Sequence, residues 1–211
     1  MLAVIFDMDG TLLDTQRICV PAWEWAGANQ GLKGLGQHIP NVCGHNEPSW
    51  TKYLVDNFPT LNIPEFKKDV HDYIEEHLVV RFKSGGKQLL EFLKTNGFKI
   101  ALASGSSHTS IDHHLNEVGA TDFFDVTVGG VDVQNGKPAP DIFLLAAEQL
   151  GVEPKDCFVL EDSSNGIRAG YAAGMKCIGI PDLVQFPQEI KDMMYAELSS
   201  MEEAIPLFAS L

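Results

Sequence analysis

The sequence predicts an α/β protein, a parallel sheet flanked by helices, with an all-helical unit inserted after the first strand. Three observations carry this. Short apolar runs recur at residues 2–6, 99–103, 123–128, 157–160 and 176–180. From residue 84 onward, stretches of about ten residues with helical periodicity separate them. Residues 16–80, by contrast, carry helical periodicity and no convincing strand. Runs that are mostly apolar, as at 2–6 and 157–160, mark strands covered on both faces, as in a parallel sheet. Right-handed crossovers then distribute the helices over both sides.

Taken in order, the first run leaves the sheet at Asp7-Met8-Asp9-Gly10-Thr11. The first carboxylate can point out of the sheet, and Gly10 lets the chain turn so that the second reaches the same space. In residues 16–80, Trp23, Trp25, Trp50, Tyr53 and Phe58 lie among polar residues. Pro21, Pro40, Pro48, Pro59 and Pro64 divide the stretch into about four short helices. Ile63-Pro64-Glu65 opens one of them, because Pro suits a first turn and Glu suits its positive end. We assign 1–15 and 81–211 to the core and 16–80 to a helical domain. The alternative is that these helices pack on the sheet as part of one domain.

Ser84-Gly85-Gly86 breaks the pattern. Leu89, Leu90, Phe92 and Leu93 then form a helical stripe closed by Gly97. The strand at 99–103 ends in Ser104-Gly105-Ser106-Ser107, and a helix over 109–118 is closed by Gly119. The strand at 123–128 leads to the loop Asn135-Gly136-Lys137-Pro138-Ala139-Pro140 and a helix over 141–150. The strand at 157–160 ends in Glu161-Asp162, followed by a helix over 165–173, the strand at 176–180, and a closing helix near 201–211.

Composition excludes several classes. The chain has 211 residues, 45% hydrophobic and 21% charged, as a globular protein should. No apolar run approaches the ~20 residues that span a bilayer. The N-terminus enters a strand at once without a basic stretch, so no signal peptide is expected. Cys19, Cys43, Cys157 and Cys177 show no paired spacing and read as reduced thiols of a cytoplasmic protein. A net charge of −14 argues against nucleic-acid and anionic-membrane partners. No exposed heptad run demands a second copy, so a monomer is expected. Phosphate chemistry on so acidic a chain needs a local cation.

In parallel sheets, ligands bind beyond the carboxyl ends of the strands. Three such ends carry polar residues: Asp7/Asp9, Ser104/Ser106 and Glu161/Asp162. Lys137 lies in a loop that can reach the same crevice. Two converging carboxylates are costly unless a cation lies between them or one holds a proton. That points to a Mg²⁺ site or to a nucleophile with an acid/base partner. Together the residues form a kit for phosphoryl transfer. Asp7 can attack phosphorus, and Asp9 can protonate the leaving oxygen and then deprotonate water. Asp162 with Asp7 offers the oxygen ligands that Mg²⁺ prefers. Ser104, Gly105 and Ser106 can bind phosphate oxygens through hydroxyl and backbone N–H groups. Lys137 supplies charge to the transferring group.

These residues carry a resemblance. Phe6-Asp7-Met8-Asp9-Gly10-Thr11-Leu12-Leu13-Asp14-Thr15 resembles motif I of the haloacid dehalogenase superfamily. Ala103-Ser104-Gly105-Ser106 resembles motif II and Gly136-Lys137-Pro138-Ala139-Pro140 motif III. Leu160-Glu161-Asp162-Ser163-Ser164-Asn165-Gly166 resembles motif IV. All four stand in order across nearly the whole chain. The resemblance implies a Rossmann-like core, Mg²⁺, and a metal set in which Asp9 adds its backbone carbonyl and Glu161 acts mainly through water. Asp9 also sets the chain apart from the dehalogenases and ion-pumping ATPases, which lack an Asp there. The inserted helices resemble the small cap of the beta-phosphoglucomutase-like branch, which by that likeness closes over the active site and contacts substrate.

Phosphatase and mutase share this core. Mutases of that branch carry a basic residue about three positions after a cap-loop Gly, and a His early in the cap. Here Gly44-His45-Asn46-Glu47 puts a carboxylate at the first place, and Cys19 stands at the second. Both departures favour water as acceptor, although Lys52 or His45 can stand in for the missing base. The expected activity is hydrolysis of a small phosphorylated metabolite, a sugar monophosphate. The mutase reaction is the alternative, and a non-catalytic phosphate-binding regulator is the alternative of another class. Gly44, His45 and Trp50 are the cap candidates for substrate binding. Trp50 either stacks on a sugar or joins Trp23 and Trp25 in the cap core. His108, His113 and His114 form no ligand pair, and Lys83, Lys87, Lys94 and Lys99 read as solvated positions around a surface helix.

Overall fold

The computed structural model describes residues 1–43 and 47–211, with only the backbone of Glu47. Six strands among the described residues form one parallel sheet: β1 (Ala3–Phe6), β2 (Lys99–Ala103), β3 (Val126–Val128), β4 (Cys157–Glu161), β5 (Lys176–Gly179) and β6 (Ala196–Glu197). The spatial order is β3-β2-β1-β4-β5-β6. Chain order reverses at β1, which pairs with β2 on one side and β4 on the other, and this switch point is where a doubly wound sheet opens a crevice. Residues 3–6, 100–103 and 157–161 are fully buried, which explains the unbroken apolar runs.

The chain forms two compact units, Met1–Asp14 with Val80–Leu211, and Thr15–Val79. In the first, the sheet is flanked by α4 (Gly86–Thr95), α5 (His108–Glu117), α6 (Asp141–Leu150) and α7 (Ser164–Ala172). Two chain crossings are tied together inside this unit. Asp14 N–H donates to the Arg81 carbonyl and Lys83 N–H to the Leu12 carbonyl, both at 2.9 Å. Leu13 and Phe82 form an antiparallel bridge between them.

The second unit holds α1 (Cys19–Asn29), a 3₁₀ turn (Leu35–Asn41), α2 (Glu47–Asn57) and α3 (Ile63–His77). Thus the expected four short helices are three α-helices and a 3₁₀ segment among the described residues. α3 begins as its sequence indicates: the Asn62 side chain caps it by accepting from Glu65 N–H, with Pro64 in the first turn. Trp23 is buried and meets Phe66 edge to face at 5.4 Å and Trp50 at 5.9 Å. Trp25 does not join that core. It is 42% exposed and lies against Tyr73, because its place on α1 is on the outer side of the stripe that Ala22, Trp23 and Ala26 bury.

Three further boundaries differ from expectation. Residues 121–123 form a 3₁₀ turn, so β3 spans only Val126–Val128. The tail adds α8 (Gln188–Lys191) and the two-residue edge strand β6, too short to show an apolar run. The closing helix is split into a 3₁₀ turn (Met201–Glu203) and α9 (Ala204–Ala209).

Candidate active site

The sheet brings the ends of β1, β2 and β4 together, and the polar residues that follow them meet. Asp7 follows β1 directly, Ser104 follows β2, and Glu161-Asp162 end β4. After Asp7 the chain turns through Gly10 at φ 86°, a backbone conformation open to glycine, and Gly10 N–H donates to the Leu13 carbonyl at 2.9 Å. This turn returns Asp9 toward β2. There Ser106 Oγ donates to Asp9 Oδ2 at 2.8 Å and Ser104 Oγ at 3.3 Å, while Ser106 N–H donates to Ser104 Oγ at 3.1 Å.

Lys137 comes from the loop before α6 and enters the same space. Its Nζ donates to Asp7 Oδ1 at 2.5 Å, to Glu161 Oε1 at 2.8 Å and to the Ala103 carbonyl at 3.2 Å, over the Phe143 ring. Glu161 is held from its other side by Ser163, whose N–H and Oγ donate to Oε2 at 2.8 and 2.9 Å. Thr11 Oγ1 donates to Asp162 Oδ1 at 2.8 Å, with both residues buried. Asp7, Glu161 and Asp162 each offer a carboxylate oxygen, and these oxygens lie within 4.8 Å of one another.

Electrostatics follow from burial. Removal from water pushes the Asp7 carboxyl up to about 7, against the downward pull of Lys137 and with the upward push of Glu161 and Asp9. Burial and the neighbouring Glu161 and Asp7 raise Asp162 well above the carboxylate range. For Lys137, burial acts downward, but Asp7 and Glu161 outweigh it and the ammonium is held more firmly than usual. Three buried carboxyl groups thus face one ammonium that is largely withdrawn from water. Ionised together they would outnumber the ammonium, and a set of oxygen donors alone fits a hard divalent cation such as Mg²⁺.

Asp7, Asp9, Ser104, Ser106, Lys137, Glu161 and Asp162, read from four separate motifs, therefore converge beyond the carboxyl ends of β1, β2 and β4. Gly105 lies in the loop between the two serines. Trp50 sits in the second unit, half-buried against Trp23 with the Lys67 ammonium 4.9 Å from its ring centroid. Gly44 and His45 lie outside the described residues, as does the Glu47 side chain. Thr11 and Ser163 were not singled out by sequence reasoning, although each lies inside a motif and has a hydroxyl that can orient a carboxylate. Lys83 corrects the sequence reading: it is no solvated surface lysine. Its side chain is 14% exposed and pairs with the Asp182 side chain, which is fully buried beyond β5.

The haloacid dehalogenase-like hydrolase model matches residues 1–174. The chain belongs to the haloacid dehalogenase-like hydrolases. Within the family it falls on the beta-phosphoglucomutase-like branch with a helical cap, and several of its curated relatives are named phosphatases. It is 33% identical over 181 residues to the phosphorylated carbohydrates phosphatase of Thermotoga maritima, covering 84% of each chain. It is 32% identical over 183 residues to the bifunctional riboflavin kinase/FMN phosphatase of Arabidopsis thaliana. There the match takes 85% of this chain but only 48% of the relative, so the chain spans about half of that protein. Among solved structures, a HAD family hydrolase from Deinococcus radiodurans with bound phosphate and sodium superposes with a TM-score of 0.84 at 27% identity. That superposition covers 99% of this chain and 95% of the other.

Proposed function

We propose that the chain is a Mg²⁺-dependent phosphatase of a small phosphorylated metabolite, in the class of sugar monophosphates, working through an aspartyl-phosphate on Asp7. The observation that supports this most directly is the placement of Lys137 Nζ, 2.5 Å from Asp7 Oδ1 and 2.8 Å from Glu161 Oε1. A buried ammonium against the nucleophile's carboxylate is what a phosphoryl group needs beside it as negative charge shifts onto its oxygens.

In the first half-reaction an Asp7 oxygen bonds to phosphorus as the bond from phosphorus to the sugar oxygen breaks. That oxygen takes a proton from protonated Asp9. In the second, Asp9 as carboxylate takes a proton from water, the water oxygen bonds to phosphorus, and the Asp7–phosphorus link breaks. Inorganic phosphate leaves and Asp7 is again a carboxylate. Lys137 and the Ser104–Ser106 loop hold the phosphoryl oxygens throughout. Asp7, Asp162 and the Asp9 carbonyl, with Glu161 behind them, are the groups assigned to Mg²⁺. When bound, Mg²⁺ supplies positive charge that offsets the carboxylates and the phosphate. The four cysteines are free thiols, which suits a reducing, cytoplasmic setting.

The test is a panel of hexose and pentose monophosphates with Mg²⁺, with and without a sugar bisphosphate. Release of inorganic phosphate that is lost in Asp7→Asn supports the reading. Activity surviving Asp7→Asn removes Asp7 as nucleophile, and isomerised sugar phosphate in preference to free phosphate establishes the mutase alternative. Absence of turnover with retained phosphate binding establishes the regulator.

A further inference from the structure

The loop carrying Ser104, Gly105 and Ser106 is braced by a segment that no motif includes. Leaving β3, residues 128–132 run alongside it. At one end Ser104 N–H donates to the Val128 carbonyl at 3.0 Å. In the middle Gly130 N–H donates to the Ser106 carbonyl, also at 3.0 Å. The two backbones touch here: a Cβ added to Gly130 would lie 2.9 Å from the Gly105 carbonyl carbon, and one added to Gly129 would lie 3.1 Å from the Ser106 oxygen. Glycines at both positions allow that approach.

At the other end stands a side-chain clasp. Asp132 Oδ2 accepts from Gly129 N–H at 2.8 Å and lies 2.7 Å from His108 Nε2. A carboxylate only accepts, so that nitrogen carries the proton. His108 is the first residue of α5, two positions beyond Ser106, and α5 is capped by Ser107. The clasp therefore joins the exit of the serine loop to the segment packed on its middle. The Gly129 N–H and His108 together hold the Asp132 carboxyl below its ordinary range, as a bonded carboxylate should be.

We infer that His108 and Asp132 are positioning residues for phosphate binding: their contact presses Gly129-Gly130 onto Gly105-Ser106 and sets where the loop's hydroxyl and backbone groups meet the phosphate oxygens. The inference rests on the phosphate-loop reading above.

The probe is inorganic orthophosphate, titrated calorimetrically into the intact protein with Mg²⁺, alongside thermal midpoints and the KM for p-nitrophenyl phosphate. Loss of one such hydrogen bond, about 1 kcal/mol, corresponds to about a fivefold rise in Kd. His108→Ala and Asp132→Ala should each show it, with a parallel rise in KM. His108→Gln, which keeps a side-chain N–H donor, should return the Kd to within about twofold of the unaltered protein. A merely structural role would move the midpoint and leave the phosphate Kd in place. An unchanged Kd in His108→Ala, or a change that His108→Gln fails to restore, overturns the inference. The half-exposed His108 pair decides the matter even if Asp132→Ala does not fold. If the unaltered protein itself binds no orthophosphate, the phosphate-loop reading is what fails.

Discussion

Ser106 Oγ donates to Asp9 Oδ2 at 2.8 Å, joining motif II to motif I across 97 residues of sequence separation. The same Asp9 oxygen also accepts from Ser104 at 3.3 Å. The two hydroxyls expected to meet phosphate thus hold the side chain assigned to acid/base work. Ser106→Ala removes the shorter bond and leaves Asp9 with the longer one. On the proposed mechanism, kcat falls by about tenfold, because a general acid displaced from its reacting oxygen loses part of the ~10²–10⁴-fold that proton transfer contributes. Ser106→Thr, which keeps the hydroxyl, should retain most of the rate. Steady-state kinetics on any accepted substrate checks both, and equal rates in Ser106→Ala and the unaltered enzyme would show that the contact does not orient Asp9.

Thr11 offers a test of the metal assignment. Its hydroxyl donates to Asp162 Oδ1 inside a buried site, where it opposes the upward push of burial, Glu161 and Asp7. Thr11→Val keeps the shape and removes the donor. Asp162 then holds its proton more firmly and is a poorer cation ligand. Partners of this second kind change metal affinity by about 10–100-fold, so the half-saturating Mg²⁺ concentration should rise by about tenfold. The rise in thermal midpoint on adding Mg²⁺ should shrink in parallel, a readout that needs no turnover. Chelation should abolish activity in both proteins and reverse on adding Mg²⁺.

What the sequence revealed, and what it hid, divides along physical lines. β1, β2 and β4 are buried on both faces, so their composition announces them, and the polar residues just past their ends were legible as a site. Phe123 and Phe124 are only half-buried, Phe123 closing a 3₁₀ turn and Phe124 lying edge to face on Phe6, and apolar composition alone does not separate such residues from a strand. β6 has two residues and no composition to read. Trp25 reads as core by its aromatic character and lies on the outer side of α1, because aromatic content says nothing of which side of a helix faces out. Lys83 and Asp182 are 99 residues apart, and nothing local in either marks the other as its partner.

That Lys83–Asp182 pair makes a stability prediction. The Lys83 side chain is 14% exposed and the Asp182 side chain fully buried, so removing Lys83 takes a charge partner from a carboxylate that water does not reach. Lys83→Met leaves a buried anion and should cost about 3–5 kcal/mol in urea unfolding. Asp182→Asn in the Lys83→Met background removes that anion and should recover part of the loss. Two single changes that simply add would show that the pair is not coupled.

Glu24 makes a pH prediction confined to the second unit. Its carboxylate oxygens accept from Gly34 N–H at 2.8 Å and Gly36 N–H at 3.2 Å, closing the loop between α1 and the 3₁₀ turn. These two backbone donors lower its pKa from an ordinary value of 4.5. A carboxyl depressed on folding adds stability that is present above its unfolded value and is lost as pH falls through the folded one. Glu24→Gln should therefore lower the unfolding midpoint at pH 7, and the gap should close as pH falls below about 4. The chain's three tryptophans, Trp23, Trp25 and Trp50, all lie in residues 15–79, so tryptophan fluorescence, excited selectively over tyrosine, reports this unit. A fluorescence midpoint difference that stays constant from pH 7 to about pH 3 would show that Glu24 acts by packing and not by its charge, since only an ionised carboxylate loses its advantage on protonation.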